Sequence, residues 1–491
     1  MIDPITNPDP IGWHNKVNNA VDYWEGSAVS ADFGDFGDAR QAMNDLAADM
    51  GLPTLDLVDS NATKRSKMNA IIAGLGIPAG LDLYADFTKG RYWDNGPQIV
   101  ADEVTDTWSG GPLPNAAGVY SSFGANALAR NDLGLWTQPA RTNGVRNSNM
   151  AGGGVGALPT LWTEFVGGNG SMASEKVGVF TIGPFNTFRY RVHGTPATSN
   201  GALLRFDGSN ANTLAATVGQ QVTFSVFVRR VAGSLATLGN VRMQLIERNS
   251  GGNLATQYQP NQRDVISDVL TRYTFTITVG NAATTHVTPV LEIAYGVAAH
   301  DVTLEIAAPQ LELGAFATQP ILTTGSAATR TGNRQVIDLT GRLNDGVVGF
   351  IKLDLKYSGT LSERVFEFND GTASQRFLVG TSGSQLRVVA TEGGINTFDG
   401  YIPLGSLGIK TVVFSCANNY LRMALVGGAS AQNILVNVPQ SLSKLSIGGL
   451  GYTAFSNTYQ ITQKLGLIYG TPSQPINQAL FDQVYALAVA A

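Results

Sequence analysis

The chain has 491 residues, more than one hydrophobic core accommodates, so about three domains are expected. A formal net charge of −5, with no Lys/Arg cluster, excludes a nucleic-acid binder, which needs a basic stripe to displace counterions. Only 14% of residues are charged, 43% are hydrophobic and 57 are glycine, the composition of a turn-rich all-β protein and not of a disordered chain.

In chain order, Met1–Pro10 is acidic and Pro-rich and lacks the basic region and apolar core of a secretory signal. The expectation is release by lysis or a dedicated machine after assembly in a host cytoplasm. Trp13, Val17, Val21 and Trp24 recur at helical spacing. A second helix is expected from Asp38, a good N-cap, to Gly51, and a third over residues 60–72. Such short helices need a neighbour to pack on. Residues 1–80 are therefore read as a helical attachment and oligomerisation region, with Trp13, Val17, Val21 and Trp24 as its contact residues. Residues 32–38 repeat the triplet Asp-Phe-Gly, but the glycine loop, strand lysine and catalytic loop of a kinase are missing, so the stretch reads as a loop.

Residues 81–150 are rich in Gly, Pro and Asn and read as an extended connecting region with short strands. Residues 151–322 read as a β-sandwich. Val222, Phe224, Val226 and Val228 alternate on one face, and Tyr273–Val279 alternates with Thr outward. Leu304, Ile306, Leu311 and Leu313 are the expected inward residues of its last strand. Residues 323–332 are polar and read as a linker. Residues 333–491 read as a second sandwich, from Val347–Leu355 through a hairpin turning at Asn418-Asn419 to a last strand at 465–469. Cys416 lies in the apolar run Val412–Ala417 and is expected buried; alone, it allows no disulfide framework within the chain. A short helix over 475–488 follows, with Ile476, Leu480, Val484 and Leu487 inward. No run of 18 apolar residues suggests a membrane span.

The fold class expected is thus mainly β, with two jelly-roll or β-sandwich domains after a helical attachment region. The order of several segments carries a resemblance: Leu81–Phe87, Phe123–Arg130, Pro139-Ala-Arg-Thr-Asn143 and Asn147–Met150, then the strand and linker Ala308–Arg330. It is similar to tail-fibre and adhesion-type structural proteins of tailed bacteriophages. There a carbohydrate-binding-module-like jelly roll is joined to a concanavalin-like lectin domain, and the resemblance covers residues 81–489. It implies a virion protein, a homotrimer, attachment to other tail, neck or capsid proteins through the N-terminus, and contact with host-surface glycans.

Catalytic signals are sparse. His14, His193, His286 and His300 are scattered without metal-ligand spacing. Asp207, Asn369 and Asp370 lie in turns that offer oxygens to calcium, the one cofactor considered. A glycosidase needs two facing carboxyl groups; Glu363 and Glu367, near Asp370, form the best cluster and fall in phase on a regular strand. Yet the alternating acids of concanavalin-like glucanases are absent, and no 20-to-30-residue repeat marks a depolymerising β-helix. No catalytic residue is assigned, and the chain is read as a non-enzyme. Sugar binding needs only aromatics and polar groups on a rigid scaffold. Trp162, Tyr258, Tyr401, Asn418, Asn419, Tyr420 and Tyr452 are the candidates. The leading reading is a receptor-binding tail adhesin. The alternatives are an architectural capsid or neck decoration protein and a glycan depolymerase or esterase.

Overall fold

The computed structural model describes residues 80–94, 104–208, 213–258, 260–356, 363–417, 420–428, 432–434, 439, 441–449 and 459–490. The expected N-terminal helices, with Trp13, Val17, Val21 and Trp24, lie outside these residues, as do Asn418, Asn419 and Tyr452. Within the described residues the chain is mainly β, with one helix, Gln478–Ala490.

The chain forms two compact units: one comprises Trp108–Ala127 and Pro139–Gly332, the other the remaining segments, including Leu128–Gln138 and Asn333–Ala491. Residues 81–150 therefore form no separate connecting region. Leu83–Asp86 and Gly134–Thr137 pair with the strand Gln460–Tyr469, and Val104–Thr107 pairs with Arg334–Asp338. The reason for the difference is legible in their burial. Leu83–Asp86 and Gly134–Thr137 are buried at every position, so they lack the alternation that marks a half-exposed strand.

In the unit built around residues 139–332, a five-stranded sheet runs Ala173–Ile182, Phe185–Gly194, His300–Leu313, Gln221–Gly233, Thr271–Thr278. A six-stranded sheet holds Gly252–Tyr258, Leu238–Asn249, His286–Tyr295, Asn200–Arg205 and Thr163–Val166, with Leu214–Ala215 also on His286–Tyr295. The core between them takes Val222, Phe224, Val226, Val228, Leu304, Ile306 and Leu311 from one sheet and Leu204, Met243, Leu245 and Leu291 from the other. This is the inward set that alternation predicts, apart from Leu313, which is 38% exposed near the end of its strand.

The expected linker is only partly free. Thr323 is buried, and its hydroxyl donates to the carbonyl of Val145 at 2.6 Å. Ala328–Arg330 forms a two-stranded sheet with Arg141–Asn143. Gln310 accepts from the Ile321 amide at 2.6 Å, and Glu312 accepts from the amide and the hydroxyl of Thr318 at 2.9 and 2.8 Å. Polar side chains thus fasten a segment that has few apolar groups to bury.

In the other unit a nine-stranded sheet contains, among others, Leu83–Asp86, Gln460–Tyr469, Val347–Leu355, Gly408–Ala417 and Tyr420–Leu425. A seven-stranded sheet runs Ile395–Pro403, Gln385–Glu392, Arg376–Ser382, Glu363–Asn369, Lys444–Ile447, Arg334–Asp338, Val104–Thr107. Phe366, Phe368, Phe377 and Phe414 form the aromatic centre of the core. The nine-stranded sheet is buried on both faces. Ile351, Leu465 and Leu467 belong to the inter-sheet core, while Val348, Phe350 and Ile468 meet the C-terminal helix. Gly466 is required where Phe350 crosses it, because a Cβ there would lie 2.4 Å from the ring. Ala417 pairs with Tyr420, on either side of the expected Asn-Asn turn, which itself lies outside the described residues. The helix begins later than expected, at Gln478, with Asn477 accepting from the Leu480 amide at 3.0 Å as its cap. Its buried residues are Leu480, Phe481, Val484 and Ala488; Leu487 is half-buried.

Candidate functional site

The sugar-stacking candidates separate once placed. Trp162 is a core residue, 5% exposed, with edge-on contacts to Phe188 and Phe206 and its indole N–H donated to the Asn147 carbonyl at 2.9 Å. Its ring has no free face, so it is not a stacking platform. Tyr420 is half-buried at the cluster beneath the C-terminal helix, and its hydroxyl donates to Gln478 at 2.8 Å. Tyr401 is 41% exposed, on the outer face of the seven-stranded sheet, with the Arg387 guanidinium 5.9 Å from its ring centre. Arg387 is held in turn by both oxygens of Asp399, at 2.8 and 2.5 Å. The side chains of Tyr258 and Glu363 lie outside the described residues.

The expected phase of Glu363 and Glu367 is broken. A bulge between Arg364 and Phe366 makes residue 363 pair with Thr381 and Glu367 pair with Leu378. Partners three residues apart on one strand alternate faces, so the register no longer places 363 and 367 together. The bulge brings Arg364 beside Glu367 instead, at 3.3 Å. Glu367 is fully buried, and among the described residues neither carboxyl oxygen accepts a hydrogen bond of good geometry, Asn369 lying only close enough to lower its pKa weakly. Burial pushes its pKa up to about 7, against the opposing charges of Arg364 and Arg376. The register of 363 and 367 does not assemble the paired-carboxylate geometry of glycoside hydrolysis from these two positions.

The turn oxygens have local duties. Asp207 is fully buried and paired with Arg146 at 2.8 Å. Asn369 accepts from the Gly371 amide at 2.9 Å, and Asp370 from the Thr372 amide and hydroxyl at 2.8 and 2.6 Å. Among the described residues no three His, Cys, Asp or Glu side chains gather as metal ligands. Cys416 is buried, and burial pushes its thiol up to about 12.

One polar row, largely buried, escaped the sequence reading: Gln244 and Arg248 are 5% and 6% exposed. On the outer face of the six-stranded sheet, Arg205, Arg242, Gln244 and Arg248 stand in opposite phase to the core residues Leu204, Met243 and Leu245. The signal was present as alternation in Leu238–Asn249, but the neighbouring strand that completes the row could not be chosen without the pairing.

No protein-family model matches the chain, and no curated protein matches it. Solved structures that match in part include the binding domain of botulinum neurotoxin serotype D, at 8% identity over 31% of this chain and 40% of that one, TM-score 0.25. Another is the tripod from the baseplate of bacteriophage Tuc2009, at 13% identity over 68% of this chain and 99% of that one, TM-score 0.25. A third is the CBM22 tandem domain of Paenibacillus barcinonensis Xyn10C, at 9% identity over 63% and 92%, TM-score 0.20. Overlap at this level carries no argument about fold, role or activity.

Proposed function

We propose that this chain is a structural and adhesive protein of a tailed-phage particle that presents β-sandwich surfaces to host glycans as a homotrimer, without catalysis. The observation that carries the reading is the junction. The two most recognisable segments of the phage-adhesin resemblance, Pro139–Asn143 and Ala308–Arg330, lie far apart in sequence yet meet in one hydrogen-bonded assembly. The recurring residues are those the fold needs at that point, which supports common architecture over coincidence of composition. Trimeric display would let weak single-site sugar binding suffice, through avidity.

The test is the mass of the full chain by light scattering, with an assay for reducing ends released from bacterial polysaccharide. A particle of three times the 51.8 kDa chain that releases no sugar supports the proposal. A monomer that releases reducing ends overturns it in favour of a depolymerase. Truncation at residue 331 is unsuitable as a probe, because the strands Leu83–Asp86 and Gly134–Thr137 would lose their partner Gln460–Tyr469.

A further inference from the structure

We propose that Thr137 and Gln335 form a self-modification site: the threonine hydroxyl esterifies the glutamine side chain, with Asp106 moving the proton, and the bond staples the two sheets of their unit. The inference is independent of what the chain binds.

The three side chains come from three strands of one unit. Thr137 ends Gly134–Thr137, which joins the nine-stranded sheet through Gln460–Tyr469. Gln335 and Asp106 lie opposite each other on Arg334–Asp338 and Val104–Thr107, in the seven-stranded sheet. The Thr137 hydroxyl donates to Gln335 Oε1 at 2.8 Å, across 198 residues of sequence. Gln335 Nε2 donates to Asp106 Oδ2 at 2.9 Å and to the Trp136 carbonyl at 2.8 Å. The amide is therefore held with its oxygen toward a nucleophile and its nitrogen toward a carboxyl group. Thr137, Gln335 and Asp106 are all buried, at 0%, 1% and 5% exposure. Asn333 Nδ2 and the Ala129 amide also donate to Asp106, at 3.1 Å each, and fix its orientation.

This is the arrangement of an acyl transfer before reaction. Thr137 Oγ1 bonds to Cδ of Gln335, the Cδ–Nε2 bond breaks, and ammonia leaves. The Asp106 carboxylate takes the hydroxyl proton and returns it to the departing nitrogen, so atoms and charge balance with no other reactant. Burial raises the Asp106 carboxyl to about 6, so near neutral pH it serves both as base and as acid. Burial also keeps water from the ester, and escape of ammonia draws the exchange forward. The reaction happens once per chain, so a slow step suffices. Its benefit is mechanical. The chain has one cysteine, so no disulfide can close within it. An ester here closes a loop across 198 residues and restricts the unfolded chain as a disulfide would.

The test is the intact mass of the full chain, aged at neutral pH and then unfolded, by electrospray ionisation. The mass should fall short of the sequence mass by one ammonia. A tryptic digest should yield peptide 131–141 joined to peptide 335–342, and hydroxylamine, which cleaves esters and spares ordinary amides, should separate them. Thr137→Val should keep the full sequence mass, and Thr137→Ser should retain the link. Asp106→Asn should slow its formation by at least about a hundredfold. A parent of full sequence mass, or an ammonia loss that survives in Thr137→Val, overturns the assignment. So does an ammonia-deficient parent whose two peptides are recovered separately. Should Thr137→Val fail to fold, the joined peptides of the parent and their release by hydroxylamine still decide.

Discussion

The side-chain amide of Asn143 donates to the carbonyl of Pro309 at 3.1 Å, across 166 residues of sequence. The same amide donates to the Ile321 carbonyl at 2.9 Å, and its oxygen accepts from the amides of Leu311 and Val145, each at 3.0 Å. Asn143 is fully buried, so every one of these bonds replaces a bond to water. Its two donors and its acceptor oxygen are satisfied at once, and no other side chain of this size supplies both functions.

Asn143→Ala should therefore destabilise its unit by about 3 kcal/mol, because two carbonyls and two amides lose their partner inside the fold. Asn143→Asp should cost more, since it turns donors toward carbonyl oxygens into acceptors. Urea unfolding followed by far-UV circular dichroism would show the loss as an earlier transition. A shift below about 0.5 kcal/mol for both variants would contradict the role given to this residue.

Glu367 predicts an unusual pH dependence. Its folded pKa, about 7, stands above the ordinary 4.5, so its contribution to stability is full below about 4.5 and is lost as pH rises through about 7. Asp106 behaves alike over a lower window: burial raises it to about 6, although Gln335, Asn333 and the Ala129 amide hydrogen-bond it. The unit holding them should be more stable at pH 5 than at pH 8. Glu367→Gln should gain about 1 to 3 kcal/mol at pH 8 and nothing at pH 4. An identical pH slope in parent and variant would refute the assignment.

Trp162→Ala should lower stability by about 3 to 5 kcal/mol, through the cavity left between Phe188 and Phe206. Trp162→Phe should cost less, chiefly the hydrogen bond to Asn147. Near-UV circular dichroism and thermal unfolding would follow both. A fully stable Trp162→Ala variant that had lost only sugar binding would restore the tryptophan as a ligand residue.

Cys416 should resist thiol reagents in the native protein and react at once after unfolding, since burial excludes both the reagent and the thiolate. Rapid stoichiometric labelling of native protein would show that the strand Gly408–Ala417 opens readily.

Much of the fold was legible because half-buried strands announce themselves by alternation. Val222–Val228 and Tyr273–Ile277 carry their core residues where the pattern places them. Strands buried on both faces gave no such signal, which is why Leu83–Asp86 and Gly134–Thr137 read as connecting chain. The bulge at Val365 is a single extra residue without sequence signature, yet it moves Glu367 out of phase with 363. The candidate site was less legible still. Trp162 and Tyr420 are aromatic in loops and strand ends either way, and only packing reveals that one fills a core and the other supports a helix. The row of Arg205, Gln244 and Arg248 needed the pairing of Arg205 with Val290 and of Arg248 with His286, contacts between strands distant in sequence.

The proposed role of this chain is attachment without cleavage. Binding of the labelled full chain to a panel of bacterial strains, competed by polysaccharide extracted from each strain, separates attachment from cleavage. Saturable binding to a subset of strains, displaced by their own polysaccharide, is expected, with no shortening of that polysaccharide. Absence of binding to every strain, or depolymerisation of the competitor, would contradict it.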